Sequence, residues 1–182
     1  MSAELSQNYF ELFGLPVGFD IDTELLAERY RELQRTVHPD RFANASERDR
    51  RLSMQRATQI NEAFHALKQP LARARYLLEL YGVNVDDERD THVDPEFLME
   101  QMELRERLSE VGASADPLGS LDALMREIGV RSGEVMTGLA GLFETGQPQD
   151  LERAKQEVQK MQFLEKLQRE AEAVEEDLAD TV

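Results

Sequence analysis

The chain has 182 residues, and its 21 Lys and Arg against 37 Asp and Glu give a net charge of −16 at pH 7. Because binding to nucleic acid or to anionic lipid depends on a surplus of Lys and Arg, this charge argues against both kinds of partner. The absence of cysteine excludes disulfides, thiolate nucleophiles, thiol-ligated zinc and cysteine-held iron–sulfur clusters.

The first two predicted helices lie on either side of a loop. A short apolar helix is predicted over residues 9–13, and a second, amphipathic helix begins at a cap on Asp22 or Thr23. This second helix ends before His38-Pro39-Asp40, because a residue that precedes proline is disfavoured in the α region.

Two more helices follow this tripeptide. The third begins at Ser46, with Asp49 three residues later, and ends at Pro70, while the fourth covers residues 71–81. Apolar residues recur at helical spacing along these segments, which predicts one buried stripe on each. The stripes of the second, third and fourth helices are, in that order, Leu26, Tyr30, Leu33 and Val37; Leu52, Ile60, Phe64 and Leu67; and Leu77, Leu78, Leu80 and Tyr81.

A polar, acidic segment without helical period, residues 83–93, predicts a linker between a domain at 1–82 and a second domain at 94–182. The charge differs sharply across this boundary. Residues 1–82 carry 11 Lys and Arg against 12 Asp and Glu, whereas residues 83–182 carry 10 against 25. We therefore expect the two domains to have different partners.

Three helices are predicted after the linker. Asp94-Pro95 supplies a cap and a first-turn proline for a helix that reaches about Val111. A loop over residues 112–119 follows, and then a helix over residues 121–144, which its four glycines each weaken by roughly 1 kcal/mol relative to alanine. The last helix begins near Gln149. The chain is therefore predicted to be all-α, with a carboxy-terminal three-helix bundle.

The most informative motif is His38-Pro39-Asp40, placed between two amphipathic helices. One interpretation is a simple helix-ending turn. A second is a catalytic His-Asp pair, but the chain offers no cysteine and no serine in a nucleophile-elbow sequence. The context includes an aromatic first helix and three arginines, Arg31, Arg35 and Arg41, on or beside the outer face of the second helix.

In this context residues 8–70 resemble the J domain of Hsp40 co-chaperones. The resemblance rests on the aromatic first helix, the His38-Pro39-Asp40 loop with Arg41-Phe42 after it, and the Ile-Asn-Glu-Ala-Phe sequence at residues 60–64. It implies that the loop and the basic face of the second helix bind an Hsp70 chaperone and stimulate its ATPase. The residues that would have this role are His38, Pro39, Asp40, Arg29, Arg31, Arg35 and Arg41.

The helix after the linker has two apolar faces. At 100° per residue, with Leu98 at the origin, a narrow core stripe falls between about 220° and 280°. That stripe consists of Phe97, Leu104, Leu108 and Val111. A second face, between about 0° and 140°, contains Leu98, Met99 and Met102 with Glu103, Glu106 and Glu110. This second face is interpreted either as an exposed partner surface, for which methionine is well suited, or as broad core coverage.

The same helix carries a second resemblance. FLMEQMELRERL, QPLARARYLL and QKMQFLEKL together resemble the HscB family, the J-domain co-chaperones of iron–sulfur cluster assembly, over nearly the whole chain. The resemblance implies that the carboxy-terminal bundle binds the scaffold protein IscU and that the J domain delivers it to the specialised Hsp70 HscA. The family's scaffold-contact positions correspond to Leu98, Met99, Met102, Glu103, Glu106, Glu110 and Phe163.

We therefore expect an adaptor that stimulates a partner's ATPase but is not itself an enzyme, with no cofactor and no metal site. Two alternatives remain: a general J-domain co-chaperone for unfolded clients, and a small helical enzyme that uses His38 and Asp40. The amino terminus lacks the layout of a secretion signal or transit peptide, and no apolar run approaches the roughly 18 residues needed to cross a bilayer. These features predict a cytoplasmic protein.

Overall fold

The computed structural model describes residues 8–42, 45–85 and 95–180, and all regular secondary structure within these ranges is helical. The chain divides after Leu80 into two compact units. The prediction of an all-α protein is confirmed. Of the predicted linker, residues 83–85 lie outside any helix, and the remainder, like the predicted cap Asp94, falls outside the described residues.

The first unit contains four helices and one 3-10 turn. They are α1 (Tyr9–Leu12), α2 (Thr23–Val37), the turn Pro39–Phe42, α3 (Glu47–Lys68) and α4 (Pro70–Leu80). Each of the first three helices begins at a side chain that accepts backbone N–H groups: Asn8, Asp22 and Ser46 respectively. These caps satisfy amide groups that a helix start leaves without partners, so the predicted starts of α2 and α3 are confirmed.

The core of the first unit forms where α2, α3 and α4 pack together, with α1 against α3. Its fully buried side chains include Phe10, Leu26, Leu67, Leu77 and Leu78. Arg73 is also buried, and its guanidinium donates to the Leu67 carbonyl at 2.6 Å and lies 5.0 Å from the ring centre of Phe19. Burial lowers the pKa of Arg73, an effect that the Asp20 carboxylate opposes.

Three side chains that the sequence assigns to the core are exposed: Leu52, Leu80 and Tyr81. Leu52 is displaced because its neighbour Ser53 points inward, where its hydroxyl donates to the Val37 carbonyl at the end of α2. Leu80 is the last residue of α4, and the chain then turns through Gly82 at a φ of 76°. Apolar spacing alone does not identify a helix end or a buried polar partner.

The second unit is a three-helix bundle. Its helices are α5 (Pro95–Glu110), α6 (Pro117–Thr145) and α7 (Pro148–Ala179), with a 3-10 turn, Val111–Ala113, between α5 and α6. α6 and α7 pack along their length, and α5 lies against both. The buried side chains shared among these helices include Phe97, Leu104, Leu124, Ile128, Leu139, Val158, Leu164 and Leu167.

The middle helix begins earlier than the sequence predicts and is continuous. Asp116 accepts the amide of Gly119 and Pro117 occupies the first turn, so α6 includes residues that the prediction assigns to a loop. The four glycines from Gly129 to Gly141 do not interrupt it, because regularly spaced side chains such as Leu124 and Leu139 are buried against the other helices.

Candidate partner-binding surfaces

The His38-Pro39-Asp40 loop projects from the end of α2. His38 has extended backbone angles, φ −59° and ψ 133°, as expected for a residue before proline. Its ring Nδ1 accepts the Asp40 amide at 3.3 Å, and its carbonyl accepts the Arg41 amide at 3.0 Å. The side chains of both His38 and Asp40 are exposed. The loop therefore has a defined backbone and presents its imidazole and carboxylate to a partner.

The base of this loop is held by two hydrogen bonds to the last turn of α2. The Ser53 hydroxyl of α3 donates to the Val37 carbonyl at 2.8 Å, and the Arg41 guanidinium donates to the Arg35 carbonyl at 3.2 Å. Both bonds supply donors to carbonyl groups that find no N–H partner within the last turn of the helix. The loop is consequently anchored to both helices of the hairpin.

The four arginines assigned to the Hsp70 surface are all exposed, but they do not form one cluster. Arg31 and Arg35 lie four residues apart and share a face of α2, with Arg41 bonded to the end of the same helix. Arg29 is two residues from Arg31, which places it about 200° away around the helix, where it pairs with Glu32 at 3.2 Å. The basic surface beside the loop therefore consists of Arg31, Arg35 and Arg41.

The second face of α5 is exposed. Leu98, Met99 and Met102 retain 48%, 72% and 65% of their accessible surface, whereas Phe97 and Leu104 on the other face are buried. Glu103, Glu106 and Glu110 are exposed beside them. The interpretation of this face as broad core coverage is therefore wrong. We call these six residues the α5 surface.

Phe163 differs from the other residues assigned to the scaffold contact. It is only 9% exposed, and its ring meets the ring of Phe97 edge to face at 5.8 Å. The exposed Arg105 lies above it, with its guanidinium 5.6 Å from the ring centre. Phe163 thus supports the edge of the α5 surface from α7, beneath Arg105.

Arg105 is a surface residue that the sequence analysis missed. It lies seven residues after Leu98 and three after Met102, so it shares their side of α5 at about 340° on the same helical wheel. This spacing alone is enough to place Arg105 beside the apolar residues. Arg105 adds a positive charge on the side of the α5 surface that faces α7.

The described parts of the chain offer no group of three or more His, Asp or Glu side chains placed to hold a metal ion. Among the same residues, no helix is both long and apolar enough to cross a membrane.

Curated relatives match about 95% of the chain. The chain is 48% identical over 173 residues to the co-chaperone HscB homologue of Shewanella halifaxensis, covering 95% of this chain and 99% of that protein. It is 47% identical over 171 residues to the HscB homologue of Vibrio cholerae, covering 94% and 98%. A family model described as the HSCB C-terminal oligomerisation domain matches residues 93–172.

Solved structures give the same result. The HscB chaperone of Vibrio cholerae superposes with a TM-score of 0.84 at 44% identity, covering 94% of this chain and 99% of that one. The human co-chaperone HscB superposes with a TM-score of 0.86 at 29% identity, covering 96% and 85%. These matches confirm the predicted fold, a J domain followed by a three-helix bundle. With such identity along nearly its full length, the chain belongs to the HscB family of co-chaperones.

Proposed function

We propose that this chain is a cytoplasmic co-chaperone of iron–sulfur cluster assembly. Its second unit binds the cluster scaffold IscU through the α5 surface. Its first unit delivers the scaffold to the Hsp70 HscA and stimulates the ATPase of HscA through the His38-Pro39-Asp40 loop. Family membership supports this role over a general co-chaperone for unfolded clients and over a small helical enzyme.

The observation that carries the proposal is the exposure of an apolar centre on α5. Leu98, Met99 and Met102 lie on a helix whose opposite face already supplies its core contacts. Exposed leucine and methionine side chains beside charged ones are typical of a protein-binding surface, and the flexible methionine side chain adapts well to the shape of a partner. The α5 surface has carboxylates on one side and Arg105 on the other. This separation of negative and positive charge favours one docking orientation of a charged partner.

The scaffold contact is tested by alanine substitution on the α5 surface. We expect Leu98→Ala or Met102→Ala to weaken scaffold binding by more than about 1 kcal/mol while leaving the melting temperature nearly unchanged. Val130→Ala on α6 is the matched control, because Val130 is 63% exposed in the same unit but lies on another helix. Equal losses of affinity in the control and the α5 variants would contradict this assignment.

The acidic side of the α5 surface is expected to act on the rate of association. Long-range attraction between this side and a basic partner surface is screened by salt, so added salt should slow binding of the wild type. A triple variant with glutamine at Glu103, Glu106 and Glu110 should bind more slowly and show a weaker salt dependence. Stopped-flow binding at several salt concentrations measures both effects, and an unchanged salt dependence would argue against steering.

The Hsp70 contact is tested at the loop. His38→Gln or Asp40→Asn should abolish stimulation of the HscA ATPase while leaving helicity and scaffold binding unchanged, because both side chains are exposed and contribute little to the core. Glu62→Gln, an exposed carboxylate on α3 of the same unit, is the control. Stimulation at the wild-type level in either loop variant would contradict the proposal.

A further inference from the structure

The exposed side of α5 depends on how this helix is rotated about its own axis. Two of its side chains, Phe97 and Leu104, are buried, and Leu108 is partly buried against the cluster of Val111, Leu121 and Ala171. α6 and α7, by contrast, are joined by many buried side chains along their length. Apolar packing of α5 is therefore limited, and other contacts must help to decide which face it turns toward solvent.

Such contacts exist on the flank of α5 that faces α6. The Glu127 carboxylate on α6 accepts two charged hydrogen bonds at 2.7 Å, one from Arg107 on α5 and one from Arg131 on α6. The other guanidinium nitrogen of Arg131 pairs with Glu100 on α5. All four side chains are half-buried. We call them the α5–α6 ion-pair ladder.

The ladder contacts α5 at two places. Glu100 and Arg107 are seven residues apart, so they lie on the same flank of α5 and are separated by two helical turns. The flank of α5 that carries Arg105 meets α7, where Arg105 lies over Phe163. Lys160 of α7 lies 5.9 Å from the ring centre of Phe97 and lines the same cavity as Glu100 and Arg131. α5 therefore has charged contacts with α6 at Glu100 and Arg107, and a cation–aromatic contact with α7 at Arg105.

We propose that Arg131 is a positioning residue for the α5 surface. By neutralising Glu100 and Glu127 together, it holds the α6 flank of α5 in place and so keeps Leu98 and Met102 turned toward the partner. This inference rests on the proposed scaffold-binding role of that surface. Without the Arg131 charge, Glu127 would keep only its pair with Arg107, and the half-buried Glu100 would lose the cation that ties it to α6. That carboxylate would regain water if this flank of α5 turned or moved away from α6.

The first test is the environment of the methionine methyl groups in the free, full-length protein. With methyl-labelled methionine, Arg131→Met should shift the NMR resonances of Met99 and Met102 on α5. The resonance of Met161, which is buried in α7, should stay in place. Arg126→Met is the matched control, since it breaks an exposed pair on the same helix, 3.6 Å from Asp122.

The second test is affinity for the scaffold, measured by calorimetry on the same variants. We expect Arg131→Met to weaken binding about fivefold, as is typical for residues that act on a binding site without touching the ligand. Arg131→Lys keeps a cation between the two carboxylates and should restore binding to within about twofold of wild type. A general loss of stability would also shift the resonance of the buried Met161, so that resonance distinguishes it from a change confined to α5.

Glu100→Gln provides a milder variant in case Arg131→Met does not fold. It removes only the carboxylate charge that α5 contributes to the pair with Arg131. The resonances of Met99 and Met102 should shift in the same direction as in Arg131→Met. Unchanged Met99 and Met102 resonances in the folded variants would overturn the positioning role, whether or not the scaffold binds. Equal losses of affinity in Arg126→Met and Arg131→Met would also overturn it. Failure of wild type to bind the scaffold would instead refute the proposed function, because the resonances test the orientation of α5 on their own.

Discussion

Replacement of the α6 glycines by alanine should stabilise the protein. Gly129, Gly133, Gly138 and Gly141 all lie inside α6, where glycine is less favourable than alanine by about 0.5–1 kcal/mol. Apart from its chain neighbours and the adjacent backbone of α6 itself, a methyl group added at any of the four would have no heavy atom within 4 Å. No steric penalty opposes the gain, so the four substitutions together should add about 2–4 kcal/mol to the free energy of unfolding.

Thermal unfolding followed by circular dichroism measures this gain. Each substitution should raise the Tm by about 2–8 °C if the second unit unfolds as a domain of its own size. Two other glycines of the unit are controls. A Cβ at Gly119 would clash with the capping carboxylate of Asp116, and Gly146 has a φ of 59°, so alanine should destabilise at both positions. A lower Tm for the α6 variants would refute the reasoning.

Three further predictions concern the cores and the loop anchor. Leu104→Ala should lower the free energy of unfolding, measured by urea titration, by about 2–5 kcal/mol, because Leu104 is only 1% exposed. Met99→Ala on the same helix should change that free energy by less than about 0.5 kcal/mol. Ser53→Ala should cost about 1–3 kcal/mol by leaving the Val37 carbonyl without its donor, and a neutral result in the same titration would show that water replaces the hydroxyl. Tyr76 lies in α4, partly buried, and its hydroxyl accepts the Tyr9 amide at 2.9 Å. Burial raises the pKa of Tyr76, so the folded state holds the phenolic proton more tightly than the unfolded state. This stabilisation is present below about pH 10 and is lost as the pH rises through the raised pKa. Tyr76→Phe should therefore reduce the loss of stability in alkaline melting curves, and an unchanged loss would exclude Tyr76 as its source.

Much of the α5 surface could be predicted from local sequence. Successive residues of an α-helix are separated by a fixed angle, so the spacing of Phe97 and Leu104 predicts the core stripe. The same angle puts Leu98 and Met102 on another side of α5. The exposure of that side in the structure agrees with the helical wheel. Phe163 was identified only through resemblance, and its near-complete burial against Phe97 depends on how α7 meets α5.

Local sequence is sufficient to predict the helical class, the capped starts of α2 and α3, and the end of α2 before Pro39, because caps, proline and apolar spacing act within a few residues. Other features depend on residues far apart in the chain and follow only from the packing of the helices. Ser53 faces inward because the end of α2 supplies a carbonyl that needs a donor. α6 continues through its glycines because its buried side chains pack against other helices, a gain that local propensity does not include. The pairing of Arg131 with Glu100 likewise joins residues 31 positions apart, and only the packing of α5 on α6 brings them together.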